Sequence, residues 1–208
     1  MADRQPVDYH TIAATVHGRF LVRAGPGDRL LIGFHGYGET AEIHLEELLK
    51  IAGTDDWTVA SVQALHPFYT SREQRIVASW MTRLDRELAI EDNKAYVRAV
   101  LADLHAPQTV VFAGFSQGGA MAYRAAADFE RTAGVIVLAA DVPPDAGSIR
   151  APVLIGRGKR DDWYTEEKLK QDLKFVPHAE VCVFDGGHEW TDDFRAAAAD
   201  FLRRVAGF

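Results

Sequence analysis

The residues most able to do chemistry lie at 114–119, which read GFSQGG. The central Ser116 follows the apolar run TVVFAG and precedes the alanine-rich stretch AMAYRAAADF. A G-x-S-x-G pattern between a strand and a helix is typical of a nucleophile elbow, a strained turn that lifts the serine hydroxyl above a sheet. Both flanking positions, 114 and 118, need glycine because a side chain there would collide with backbone. We therefore predict that Ser116 is a nucleophile.

A serine hydroxyl is a weak nucleophile and needs a histidine base that a carboxylate orients. In this architecture the order along the chain is Ser, Asp, His. His188 lies in VCVFDGGHEW, just beyond a glycine pair that follows a strand-like segment. His35, in FHGYGET, is the alternative base, but it precedes the nucleophile. We predict His188 as the base.

Four aspartates compete for the role of the acid. Asp161 and Asp162 lie in VLIGRGKRDDWY, Asp141 follows VIVLAA, and Asp185 closely precedes the histidine. Loops at the carboxyl ends of parallel strands converge on one edge of the sheet, so each of them could reach the serine. We favour Asp161 because it comes first after the glycine loop at the end of its strand, with Asp162 next and Asp141 third.

The segment FHGYGET predicts the remaining part of such a site. A His-Gly loop after an early strand commonly supplies one backbone N–H of an oxyanion hole, and the residue after the nucleophile supplies the other. By position we assign the amides of Tyr37 and Gln117.

The elements that must position these residues alternate along the chain. Strand-like apolar runs such as VVFAG and VIVLAA are separated by segments with helical spacing, which predicts a mostly parallel sheet with helices on both faces. No repeat, linker or change in composition divides the sequence, so we predict one domain over residues 1–208. Near the N-terminus, HG in TIAATVHGRFLVRAG suggests a hairpin, whereas HPFYTSREQRIVASW reads as an irregular loop.

These four motifs together resemble the phospholipase/carboxylesterase group of α/β-hydrolases, which includes the acyl-protein thioesterases. HGYGET looks like the HGxGD/E loop of that group, GFSQGG matches its elbow, GRGKRDDWY is similar to its acid segment and GGHEW to its histidine loop, all in order over residues 30–206. The resemblance implies an α/β-hydrolase fold and the same five site residues: Ser116, Asp161, His188, Tyr37 and Gln117. The chain departs from the group at Asp162, Trp163 and Tyr164 and in HPFYTSREQRIVASW, which replaces a Pro-rich acyl-binding loop.

Several aromatic residues fall in or next to loops at strand ends and could line a substrate pocket. Packing is the commoner role for any one aromatic residue, so we expect only some of them to touch substrate. About a dozen residues separate VIVLAA from APVLIG, too few for a helical lid, which predicts an open site with no large cap domain. The candidate pocket residues are Phe68, Tyr69, Trp80, Trp163, Tyr164 and, less directly, Trp190.

Composition and motif content argue against several classes of partner and ligand. The net charge of -7 provides no electrostatic footprint for nucleic acid, and no apolar run approaches the length of a membrane span. The eight histidines show no HExxH motif or zinc-ligand spacing, so we predict no metal and no cofactor. Cys182 reads as a buried structural thiol. We expect a cytoplasmic protein with a small-molecule ester substrate, and the sequence does not distinguish a monomer from a homodimer.

The function that these observations favour is hydrolysis of short to medium acyl esters through an acyl-enzyme intermediate. A thioesterase, lysophospholipase, lactone hydrolase or peptidase could use the same residues, because the chemistry of the nucleophile is common to all of them. A catalytically silent binding protein is the alternative from another class. The presence of all three of Ser116, Asp161 and His188 argues against it.

Overall fold

The computed structural model describes residues 7–71 and 73–207. Strands and helices alternate through most of this part of the chain. The strands are β1 (Phe20–Arg23), β2 (Arg29–Phe34), β3 (Thr58–Val62), β4 (His66–Tyr69), β5 (Ile76–Ser79), β6 (Thr109–Phe115), β7 (Thr132–Leu138), β8 (Val153–Gly158) and β9 (Glu180–Phe184). The helices are α1 (Ala41–Leu49), α2 (Arg86–Asp103), α3 (Gln117–Asp128), α4 (Glu166–Phe175) and α5 (Asp192–Val205).

Seven of these strands form one sheet in the order β1-β3-β2-β6-β7-β8-β9. Every neighbouring pair from β3 to β9 is parallel, and only β1, at the edge, is antiparallel to its neighbour. The predicted mostly parallel sheet is therefore confirmed. Since parallel strands all end at the same edge, the loops that follow β2, β6, β7, β8 and β9 meet there.

Helices cover both faces of this sheet. On β7, a Cβ atom at Gly134 would touch Phe201 of α5, whereas Val137 lies against Gly119 of α3. Residues three apart on a strand point to opposite faces, so α5 and α3 lie on opposite sides. Arg195 of α5 donates to Glu47 of α1 at 3.2 Å, which joins these two helices on one face.

The hydrophobic core lies around the central strands. Their side chains are apolar on both faces, and Ile32, Phe112 and Ile136 are completely buried. Each such side chain contributes about 1.5–3 kcal/mol through its removal from water. This core gives the loops at the carboxyl edge a rigid support.

The predicted N-terminal hairpin is wrong. Only β1 forms, and it pairs with β3 instead of with the segment before it. Ile12 and Val16 are exposed, so residues 7–19 have no apolar face to bury against a partner strand. Tyr96 of α2 holds the end of this segment, since its hydroxyl donates to the Arg19 carbonyl at 2.6 Å.

The loop predicted over HPFYTSREQRIVASW contains a regular hairpin. β4 and β5 pair antiparallel, from His66 opposite Ser79 to Tyr69 opposite Ile76. β5 also exchanges two backbone hydrogen bonds with the loop after β2, because Gly38 donates to Ala78 and Ala78 donates to Glu39, both at 2.9 Å. The hairpin therefore supports the HGYGET loop.

Candidate active site

Ser116 lies between β6 and α3 in a backbone conformation that is rare for a residue with a side chain. Its φ is 51° and its ψ is −121°. Such strain costs about 1–3 kcal/mol and persists only where the surroundings enforce it. Here the Ser116 amide donates to the Leu138 carbonyl at 2.9 Å and its carbonyl accepts from the Gly119 amide at 2.9 Å.

The glycines on either side of Ser116 are required by backbone contacts. A Cβ atom at Gly114 would lie 2.3 Å from the Gly118 carbonyl oxygen, and one at Gly118 would lie 2.0 Å from the Phe34 carbonyl oxygen. The steric explanation predicted for both positions is confirmed. The contact with Phe34 also shows that the elbow is packed against the end of β2.

Asp161 and His188 meet although 27 residues separate them. His188 Nδ1 lies 2.9 Å from Asp161 Oδ2, and the other carboxylate oxygen accepts from the amides of Trp163 and Tyr164 at 2.8 and 2.9 Å. The Asp161 side chain is completely buried, whereas 26% of the His188 side chain is exposed. If Nδ1 carries the proton shared with Asp161, Nε2 is the nitrogen that remains free to act as a base.

Backbone packing holds the two loops that carry this pair together. The Arg160 amide donates to the Gly186 carbonyl at 2.8 Å. A Cβ atom at Gly158, the last residue of β8, would lie 2.2 Å from the Gly187 carbonyl oxygen. The glycines on both sides of this contact let the loop after β8 (residues 159–165, the acid loop) and the loop after β9 (residues 185–191, the histidine loop) approach at backbone distance.

None of the other three candidate aspartates contacts His188 within the described residues. Asp162 is exposed, Asp141 pairs with Lys168 at 3.1 Å, and Asp185 pairs with Arg160. Among the four candidate acids, Asp161 is the one that contacts His188 within the described residues.

The alternative base, His35, serves the scaffold. It is completely buried; its Nδ1 lies 2.7 Å from the Gly36 carbonyl and its Nε2 accepts from the Ala64 amide at 3.1 Å. Burial lowers the pKa of His35, which keeps the ring neutral. Both nitrogens are therefore used to fix the start of the loop after β2.

Within residues 36–39 of that loop, one backbone amide has no acceptor among the described residues. The Gly36 amide donates to the Glu39 carboxylate at 2.7 Å, and the Gly38 and Glu39 amides donate to backbone carbonyls. The structure shows no acceptor for the Tyr37 amide in residues 7–71 and 73–207. Burial raises the pKa of the Glu39 carboxyl group, which holds this turn.

The second predicted donor, the Gln117 amide, begins α3, where helix amides have no partner within the helix. The Gln117 side chain fixes the neighbouring wall of the site. Its Oε1 accepts from the Trp80 amide at 2.8 Å and its Nε2 donates to the Met81 carbonyl at 2.8 Å. Sequence reasoning assigned a role to the Gln117 amide but missed this role of its side chain.

Ser116 and His188 both line a cavity of about 310 Å³. Its floor comes from the first turn of α3, and its walls come from the loop after β7, the acid loop and the start of α2. Residues 139–152, between β7 and β8, contain no helix, in agreement with the expected absence of a lid. The lining residues are Arg86, Ser116, Gln117, Ala120, Ala139, Ala140, Asp141, Val142, Pro143, Pro144, Trp163, Tyr164, Lys168 and His188.

The predicted aromatic pocket residues divide into two groups. Trp163 and Tyr164 line the cavity, the first exposed and the second buried. Trp80 is completely buried, and its indole N–H donates to the His35 carbonyl at 2.9 Å. Trp80 is thus a packing residue, which corrects the prediction that it contacts substrate.

Phe68 and Tyr69 of β4 do not line this cavity. Phe68 packs on the ring of Tyr37, with centroids 5.6 Å apart. Trp190 packs against Phe115 and Phe194, and Tyr69 is exposed. None of these three aromatic residues forms the cavity wall beside Ser116.

Two sets of polar contacts hold the loops that form the cavity wall, and no sequence motif predicts either of them. Asp172 of α4 accepts from the Tyr164 hydroxyl at 2.8 Å and from the Val142 amide at 3.1 Å, which ties the acid loop to the loop after β7. Arg124 of α3 donates to both carboxylate oxygens of Asp145, at 2.6 and 2.8 Å, and holds the same loop from the other side.

The fold is similar to those of several solved structures. Esterase PE8 aligns with a TM-score of 0.71 and 20% identity over 91% of this chain and 100% of its own. Acyl-protein thioesterase 2 from Zea mays aligns with a TM-score of 0.71 and 15% identity over 92% of this chain and 100% of its own. A carboxylesterase from Bacillus cereus aligns with a TM-score of 0.71 and 16% identity over 90% of this chain and 94% of its own. Neither a family model nor a curated protein matches the sequence.

These structures confirm the predicted α/β-hydrolase fold without a large cap. Their names describe an esterase, a thioesterase and a carboxylesterase, in agreement with the resemblance drawn from the motifs. Separately, no helix in the described part of the chain is both long and apolar enough to cross a membrane.

Proposed function

We propose that this protein is a serine hydrolase of carboxylic esters, with Ser116 as nucleophile, His188 as base and Asp161 as the acid that orients it. One observation carries the proposal: a strained serine and a histidine held by a buried carboxylate border the same cavity. A strained serine alone could be a structural feature. Its combination with an oriented base is what acyl transfer requires.

In the proposed reaction, Ser116 Oγ attacks the ester carbonyl while its proton passes to His188 Nε2. The carbonyl oxygen becomes an oxyanion, which the amides of Tyr37 and Gln117 stabilise by hydrogen bonds. The C–O bond to the alcohol then breaks, and the alcohol leaves with the proton from His188. Water repeats these steps on the acyl-enzyme and releases the carboxylic acid.

The role of Asp161 in this scheme follows from its burial and its contacts. Its two oxygens are fixed, one by His188 and the other by two backbone amides, so the carboxylate cannot rotate away. Beside an imidazolium, a buried carboxylate stabilises the charge that forms when His188 takes the serine proton.

The shape of the site supports short to medium acyl chains. The cavity of about 310 Å³ lies at the lower end of the range for small-molecule sites. Thioesters, lysophospholipids, lactones and peptides remain alternative substrates for the same three residues. The esterase and thioesterase names among similar folds support acyl transfer in general.

Hydrolysis of a p-nitrophenyl ester series from acetate to palmitate, together with labelling by a fluorophosphonate probe, tests the proposal. We expect labelling and turnover in the wild type, with the highest rate at short or medium chains, and neither in Ser116→Ala. A matched control is Ser61→Ala, whose buried hydroxyl lies on β3, outside the cavity, and has no hydrogen-bond partner among the described residues. Labelling of Ser116→Ala, or none of the wild type, would contradict the proposal.

A further inference from the structure

The charges on the cavity wall are unequal, although the protein as a whole is acidic. Three lining residues are an arginine, an aspartate and a lysine: Arg86, Asp141 and Lys168. Asp141 and Lys168 pair with each other at 3.1 Å. Arg86 has no carboxylate within ion-pair distance among the described residues. Arg86 is therefore the charged lining residue that has no oppositely charged partner among the described residues.

Asp145, which senses the charge of Arg86, does not neutralise it. The positive charge of Arg86 helps to lower the pKa of the Asp145 carboxyl group, so the two lie within electrostatic reach. However, both carboxylate oxygens of Asp145 accept hydrogen bonds from Arg124, whose side chain is buried. The buried Arg124 and Asp145 neutralise each other. Apart from Nη1, which contacts Met81 Sδ, the guanidinium nitrogens of Arg86 have no hydrogen-bond acceptor among the described residues.

Contacts also place Arg86 relative to the proposed reacting atoms. Its Nη1 lies 3.3 Å from Met81 Sδ, and the Met81 carbonyl accepts from the Gln117 side chain. Arg86 is thus on the Gln117 side of the cavity. His188 must protonate the leaving alcohol, so the alcohol occupies the side of His188 and the acid loop.

We propose that Arg86 is a specificity-determining residue that binds a carboxylate at the far end of the acyl group, so that the preferred substrates are half-esters of short dicarboxylic acids. This inference rests on the function proposed above. A guanidinium offers a fork of N–H donors that matches a carboxylate in geometry and charge. The uncompensated charge would favour a mono-anionic acyl group over a neutral one of the same size.

The test compares monoethyl glutarate with ethyl 5-oxohexanoate, a neutral ester of nearly the same shape, by titration of the acid released. We expect the wild type to prefer the anion in kcat/KM, and Arg86→Gln to lose that preference by about tenfold while it retains the rate on the neutral ester. Arg86→Lys should retain part of the preference. Added salt should weaken it, because the site is open to solvent.

Arg83→Gln is the matched control, since Arg83 is an exposed arginine three residues away that does not line the cavity. An unchanged ratio in Arg86→Gln, or the same loss in Arg83→Gln, would overturn the inference. Carboxymethyl butyrate carries its anion on the alcohol instead. An effect of Arg86 confined to that ester would also overturn the placement on the acyl side.

A binding measurement separates this inference from the proposed function. In the Ser116→Ala background, calorimetry should show that monoethyl glutarate binds about tenfold more weakly after Arg86→Gln, with no change for ethyl 5-oxohexanoate. If the wild type hydrolyses none of these esters, the proposed function fails, and the binding result still decides the role of Arg86. Equal affinity with and without Arg86 would refute that role.

Discussion

The Asp161 carboxylate contacts the His188 imidazole through Oδ2 while its Oδ1 is held by two backbone amides of its own loop. The geometry of the carboxylate is therefore set before any substrate binds. An amide in its place could keep the backbone contacts but would present the wrong hydrogen-bonding group to His188.

Asp161→Asn should accordingly lower kcat for an activated ester by about 10³–10⁴-fold, with a small change in KM, because the imidazole would be held in the wrong tautomer. Steady-state kinetics measure both constants. The matched control is Asp162→Asn, at the exposed neighbouring position, which should change kcat less than twofold. A larger loss in the Asp162 variant than in the Asp161 variant would show that the acid is wrongly assigned.

Gly118→Ala should destabilise the fold by about 3 kcal/mol or more, because its Cβ would lie 2.0 Å from the Phe34 carbonyl oxygen and backbone cannot yield cheaply. Urea denaturation measures the free energy of unfolding. Gly187→Ala is the control for stability, since the nearest atom to its Cβ would be 3.8 Å away. If both variants unfold at the same urea concentration, the elbow is less constrained than the contact indicates.

His44→Leu should leave stability at pH 7 unchanged or raise it by about 1 kcal/mol, since His44 is buried and neither ring nitrogen has a partner among the described residues. Burial lowers the pKa of His44 to about 3. His44 therefore takes up a proton below about pH 6.5 in the unfolded chain but stays neutral in the folded chain down to about pH 3. The free energy of unfolding falls as the pH decreases between these two values.

The variant should remove this loss, which amounts to as much as about 1.4 kcal/mol for each pH unit below 6.5. Denaturation midpoints at pH 7 and pH 5 measure the difference. The exposed His10 provides a control, and His10→Leu should keep the acid sensitivity of the wild type. The same acid sensitivity in His44→Leu would indicate that another group is responsible.

Removal of Asp145 should lower the free energy of unfolding more than removal of its partner Arg124. The Arg124 side chain is 1% exposed and that of Asp145 is 40% exposed. Asp145→Ala leaves a buried, unpaired guanidinium and should cost about 3–5 kcal/mol, whereas Arg124→Met leaves a carboxylate that water can reach and should cost less. Urea denaturation of both variants measures this, and an equal or reversed order would contradict it.

The pair also has a pH dependence of known sign. Arg124 lowers the pKa of the Asp145 carboxyl group, so its stabilising contribution is complete above the unfolded-state pKa of about 4 and is lost as the pH falls through the lower folded value. In Arg124→Met this part of the acid response should be absent. Both variants should also raise KM for esters, since the pair holds the loop that carries Pro143 and Pro144 of the cavity wall.

Much of the fold could be predicted from periodicity, because buried parallel strands are apolar on both faces and the glycine loops mark their ends. The N-terminal hairpin was a wrong prediction because residues 7–19 alternate in sequence but have nothing to pair with. The hairpin of β4 and β5 was missed because each strand has only four residues and β4 contains Pro67, and because β5 also pairs with the loop after β2.

The candidate site divides along a similar line. Ser116, Asp161 and His188 lie in short motifs whose glycines have a local steric reason. Spacing along the chain indicated Ser116 and His188, but it only ranked Asp161 first among four aspartates. Arg86, Asp172 and the pair of Arg124 and Asp145 lie in ordinary helices and loops. Only the folded chain brings Arg86 to the cavity wall and places the other three residues where they hold the loop after β7. Trp80 could not be distinguished from a pocket residue by type alone, since burial of an aromatic ring depends on its neighbours.

The elbow packs against the carbonyl of Phe34. Another wall of the cavity is the loop after β7, residues 139–152, which contains no helix or strand. Ser116, the proposed nucleophile, thus lies in a turn that packs on a core strand, whereas the proposed substrate site is bordered by a loop without helix or strand. Replacement of residues 141–144 could change which acyl groups are accepted without moving Ser116. The architecture offers a starting point for directed evolution of substrate preference, in which libraries confined to that loop would leave the strained serine intact.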